Sequence, residues 1–78
     1  MSWQWEWDYS SKDRRWSLTV GEWLAVVQRV EGPRYLWHAY IEHTIEPHDR
    51  HEGPTSQAAV DGRTWCLTMI ATLRTKGA

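Results

Sequence analysis

Seventy-eight residues with a formal net charge of −1 make room for one small domain and carry no basic excess of the kind a general polyanion binder needs. A lone cysteine, Cys66, excludes an internal disulfide framework, and no apolar run approaches the ~18 residues of a spanning helix. With no Phe but seven Trp and three Tyr, the apolar material is concentrated in rings that each bury ~150–250 Å².

The chain opens on Ser-Trp-Gln-Trp-Glu-Trp-Asp-Tyr over residues 2–9. Trp3, Trp5, Trp7 and Tyr9 recur with period 2, so a strand lines all four on one face, while a helix would scatter them. A polar turn at 10–14 leads to a second strand, 15–20, where Trp16, Leu18 and Val20 alternate with Ser17 and Thr19. Gly21-Glu22 is a bend, a bulge or a two-residue hairpin turn. Residues 23–30 form the most strand-like run, rich in β-branched and aromatic side chains. The turn Glu31-Gly32-Pro33-Arg34 ends it, and a fourth strand spans 35–44.

The polar stretch 45–54 is bracketed by Pro47 and Gly53-Pro54 and reads as a loop. Thr55 or Ser56 then caps a helix over about 56–74; alternatively Asp61 caps a shorter one and 55–60 form a separate turn. Ala58, Gly62, Trp65, Cys66, Met69 and Leu73 share one helical face, with Ala59 and Ile70 at its edge and Arg63, Leu67 and Arg74 on the far side. A glycine on the inner stripe implies close approach to the sheet, under a Trp ring. The fold class expected is α+β: two layers, an antiparallel meander of three to four strands packed on one C-terminal helix, in one domain covering 1–78.

One helix covers one sheet face, yet the third and fourth strands are apolar in both phases. Leu24, Val26 and Val30, with Leu36, His38 and Tyr40, form the candidate protein-binding surface on the face away from the helix. The Trp3/Trp5/Trp7 strand folding over that face is the competing account. Arg14, Arg15, Arg29 and Arg34, near the strand turns, are the candidates for nucleic acid, with exposed aromatics to stack on bases; Glu22, Glu31 and Glu42 share their region and count against it.

No chemistry-bearing constellation is recognisable, so no catalytic residue, metal or cofactor is assigned and no enzymatic activity is expected. His38, His43, His48 and His51 lie close in sequence, but His48-Asp49-Arg50-His51 has no cysteine ligand nearby and an arginine in its middle, and reads as a solvated loop. Cys66 falls on the buried stripe, where thiols behave as small hydrophobes. The serines lack a G-x-S-x-G setting, and no glycine-rich phosphate loop occurs.

The run Trp16-Ser-Leu-Thr-Val-Gly-Glu-Trp-Leu-Ala-Val-Val, then Leu36-Trp-His-Ala-Tyr-Ile-Glu, then Thr55-Ser-Gln-Ala-Ala through Trp65-Cys66 resembles short uncharacterised prokaryotic and phage proteins of β-β-β-α order. Small phage inhibitors of bacterial defence share that architecture. The resemblance spans residues 16–74, implies a stand-alone binder rather than an enzyme, and transfers no functional residue. The expectation is therefore a protein-interaction module, cytoplasmic and away from membranes, with a protein partner and a homodimeric state; nucleic acid is the alternative partner.

Overall fold

The computed structural model describes residues 6–76. Five strands and a helix follow in the order β1 (Asp8–Ser10), β2 (Arg15–Val20), β3 (Trp23–Val30), β4 (Leu36–His43), β5 (Arg50–Ser56) and α1 (Ala59–Lys76). Each strand pairs antiparallel with its sequence neighbour, so the sheet order is β1-β2-β3-β4-β5. This is the two-layer α+β arrangement of a meander and one helix, with one strand more than the sequence indicated. Among the described residues no helix is long and apolar enough to cross a membrane.

β2 and β3 begin and end where their alternation does. Val20 pairs with Trp23, so Gly21-Glu22 is a two-residue hairpin turn, with Gly21 first and at φ 63°. Within the described part of the aromatic alternation, strand begins at Asp8. Tyr9 sits opposite Trp16, ring centroids 4.7 Å apart, while Glu6 and Trp7 precede β1 and Trp3 and Trp5 lie outside the described residues. Trp7 packs against the helix-side core, so it does not shield the other face.

The expected loop at 45–54 is corrected from residue 50 onward. Arg50–Ser56 is an edge strand, with Tyr40 opposite Glu52 but His38 opposite Thr55. That shift places an extra β5 residue at Gly53-Pro54. A bulge on an edge accepts proline because no ladder N–H is needed there. The helix accordingly begins later than expected, at Ala59. Ser56 Oγ accepts from the Ala58 amide (3.1 Å) and donates to Asp61 (2.7 Å), which ties the first turn to the end of β5. Asp61 in the first turn and Arg74 and Lys76 in the last match the helix dipole.

The core lies between α1 and the face formed by Val20, Trp23, Ala25, Val27, Trp37, Ala39 and Ile41, closed from the helix by Cys66 and Ile70. Gly62 permits the close approach: a Cβ there would lie 3.0 Å from Ala39 Cβ and 3.1 Å from Val27 Cγ1. The glycine under an indole is a different one. Gly53 lies against Trp65, whose ring atoms a Cβ would meet at 2.6–2.8 Å. Arg63 and Leu67 do not face away from the sheet. α1 packs on β3, β4 and β5, so its flank toward β2 is occupied: Arg63 lies over the Trp16 ring at 4.4 Å, and Leu67 joins the core edge.

Candidate functional site

No described residue of α1 reaches over the other side of the sheet, because the helix sits wholly on the Ala25/Ala39 side. The register sorts this open face into rows. Val30 pairs with Leu36, Gln28 with His38, Val26 with Tyr40, and Leu24 with Glu42; β2 adds Arg15, Ser17 and Thr19. The structure thus brings Leu24, Val30, Leu36, His38 and Tyr40 together, each partly exposed. Val26 belongs to the same face but is buried at 1% exposure between Ser17 and Tyr40. It supports the surface and presents none, which corrects its place among the contact candidates.

β5 supplies what sequence reasoning missed, a line of ordered polar groups along this face. Arg50 lies opposite Glu42 and places its guanidinium 3.7 Å above the Tyr40 ring. Arg50 Nε donates to Glu52, and its Nη1 lies 3.7 Å from Glu42. Glu52 also meets His38 Nε2 at 2.7 Å, while His38 Nδ1 meets the Thr55 hydroxyl at 3.0 Å. A carboxylate only accepts, so His38 donates from Nε2, and in the neutral ring Nδ1 accepts the Thr55 O–H. The signal for this line was present in the alternation of Arg50 and Glu52 with His51 and Gly53, masked by the Gly53-Pro54 pair. These groups border a shallow groove of about 510 Å³ lined by residues that include Gln28, Val30, His38, Tyr40, Arg50 and Thr55.

Glu52 is held below the ordinary glutamate range, first by the hydrogen bond from His38 and then by that from Arg50. Arg50 is raised, chiefly by Glu52. Because the lowered group keeps its proton off longer in the folded chain, its stabilisation is complete above the unfolded pKa and fades as pH falls through the native value. Both side chains are well exposed, so solvent screens the effect. Wild type is expected to lose melting temperature faster than Glu52→Gln between pH 6 and pH 3. Parallel curves would show that the carboxylate adds nothing to the folded state.

The four arginine candidates gather at one end of the sheet but not in one role. Arg14, at φ 52° in the β1–β2 turn, accepts the Arg29 amide on its carbonyl (3.0 Å). Arg29 turns to the helix side, stacks on Tyr35 at 4.2 Å and bonds the Val30 carbonyl. Arg15 lies on the open face opposite Gln28, and Arg34 is exposed in the β3–β4 turn. Lys12, Arg14 and Arg29 line a polar hollow of about 490 Å³, shared with Asp13 and Glu31.

The histidines are dispersed. His43 is a strut: its Nδ1 accepts from the amides of Ile45 and Glu46 (3.2 and 3.1 Å), and its Nε2 donates to Glu22 (2.9 Å). His51 lies beside Trp23 and His48 is exposed in the β4–β5 loop. Among the described residues no three His, Cys, Asp or Glu side chains are grouped to hold a metal. Cys66 is fully buried, and its thiol points at the Val26 and Tyr40 carbonyls (3.9 and 3.6 Å). Burial pushes its pKa up to about 11. A thiol reagent is expected to label it only as fast as the chain unfolds; rapid labelling of the folded protein would contradict the packing.

No protein-family model, no curated protein and no solved structure matches this chain.

Proposed function

We propose that the chain is a non-catalytic protein-interaction module that binds through the open sheet face, a mode of action open to a small phage-type inhibitor of the same β-β-β-α architecture. The observation that carries this reading is the uncovered face itself. Val30 and Leu36 are partly exposed in the row at one end of β3 and β4, and Tyr40 and Leu24 in the two rows toward the other end, with Gln28 and His38 between them. Around them Thr55, His38, Glu52, Arg50 and Glu42 hold one another in fixed orientations, so the polar groups are ordered before any partner arrives. Exposed apolar groups interleaved with ordered polar ones fit a protein interface, which taken whole is only about as apolar as the rest of a surface. Rigid strands give the surface a defined shape.

The competing reading is nucleic-acid binding at the turn end, favoured by Lys12, Arg14 and Arg29 around one hollow. Asp13 and Glu31 in that hollow, and the engagement of Arg29 with Tyr35, weigh against it. Capture from the native host with three immobilised forms, wild type, Arg14→Glu/Arg34→Glu and Leu36→Asp, separates the two. The open-face reading expects a protein partner that Leu36→Asp loses, and no nucleic acid on any of the three forms. Nucleic acid lost by the arginine variant, with binding that weakens steeply with salt, would overturn it.

A further inference from the structure

Resting on the open-face reading, the geometry points to the occupant of that face: a second copy of this chain, laid face to face with its strands reversed. Three features of the molecule converge on it. The first is that the sheet edge formed by β5 is blunted. Pro54 and the bulge at Gly53-Pro54 interrupt its row of backbone donors, which disfavours a second copy adding strands there. Association through the face is the route left for that side of the sheet.

The second is the layout of the rows. A two-fold axis lying between two open faces, across the strands midway between the Val26–Tyr40 and Gln28–His38 rows, sets β3 over β3 and β4 over β4 in opposite directions. The Leu24–Glu42 row of one copy then lies over the Val30–Leu36 end of the other. Leu24 of each copy meets Val30 of the other at the two ends of β3, Leu36 lies over Glu42 on β4, and Tyr40 of each copy lies over His38 of the other near the centre. Strands ~4.8 Å apart with ~3.3 Å per residue make the face roughly 600 Å² per chain, or roughly 1,200 Å² for the pair, the lower bound for a specific interface.

The third is charge. The end of the sheet at the β1–β2 and β3–β4 turns carries Lys12, Arg14, Arg15, Arg29 and Arg34 against Asp13 and Glu31. The opposite end, at the Gly21-Glu22 turn and the β4–β5 loop, carries Glu22, Glu42, Glu46 and Asp49 against Arg50. Arg74 and Lys76 end α1 in the layer behind. Reversing the strands brings the basic end of each copy over the acidic end of the other; aligning them would set like over like.

Charge reversal at exposed turn positions tests the arrangement without touching the core. Sedimentation equilibrium over about a hundredfold range of micromolar concentration is expected to show wild type moving from protomer to twice that mass. Arg34→Glu alone and Glu46→Lys alone are each expected to weaken the dimer by about tenfold at low salt, and the double variant to recover to within about threefold of wild type. Leu36→Asp, confirmed folded by circular dichroism, is expected to stay monomeric. A wild type that is monomeric throughout overturns self-association but leaves the open-face reading standing wherever Leu36→Asp still loses its captured protein. A Leu36→Asp chain that keeps both the dimer and the captured partner overturns both. A dimer in which the two charge reversals worsen one another overturns the reversed-strand geometry.

Discussion

Trp65→Ala is expected to lower the unfolding free energy by about 3 kcal/mol, a large share of what a domain this small holds. The indole lies flat on Gly53 and joins the core edge, so it fastens α1 to the outermost strand. Deleting it leaves a space that backbone alone cannot fill, because β5 offers no side chain at that point. The same contact predicts the effect of its other half. Gly53→Ala places a methyl within 2.6 Å of the ring, which must turn or lift, at a cost of about 1–3 kcal/mol. The two losses are expected not to add: once Trp65 is alanine, a methyl at position 53 has room and partly fills the hole. Denaturant melts of the four forms give the coupling directly. Additive losses would mean that the indole and Gly53 do not share a contact.

Trp23→Ala is expected to cost about 3–5 kcal/mol, the range for a nearly buried indole. Trp23 is 9% exposed and closes the core at the acidic end of the sheet. His43 meets its ring edge-on at 5.0 Å and His51 lies at 5.8 Å. His43 in turn holds the amides of Ile45 and Glu46 and the carboxylate of Glu22. Losing the indole should therefore free the imidazole and loosen the loop after β4 beyond the global loss. Amide exchange at Ile45 and Glu46 is expected to rise more than exchange at Val27 or Ala39. A uniform rise across the sheet would place Trp23 in the core without a role in holding that loop.

The parts of this fold that were legible in the sequence are those where alternation speaks for burial on one side. β2 and β3 were readable to the residue, because Trp16, Leu18 and Val20 and then Trp23, Ala25 and Val27 alternate toward the helix. The inner stripe of α1 was equally plain in Gly62 and Cys66, whereas Ile70, at its edge by spacing, proves to be buried with them. β5 was hidden because its inward positions are His51, Gly53 and Ser56, none of them apolar. Its strand character comes from pairing with β4 and from the indole that lies against it, and neither is local. The candidate face followed the same division. Its apolar rows were visible in residues 24–30 and 36–40, but the line of Thr55, His38, Glu52 and Arg50 depends on a register set by a bulge. Arg63 and Leu67 fall outside the apolar stripe by spacing alone, but α1 lies over β3 to β5 and turns that flank to Trp16.

Because every strand pairs with its sequence neighbour, nearly all sheet contacts are between residues close along the chain, the situation that favours rapid folding. The helix is the exception, since α1 must return across β4 and β3 after β5 is laid down. During synthesis the hairpins of β2, β3 and β4 therefore emerge with Ala25, Val27, Ala39 and Ile41 facing water until Cys66 and Ile70 have left the ribosome. The nascent chain would then display both sides of its sheet at once, so that interval is when it is most prone to aggregate and when a chaperone has most to hold.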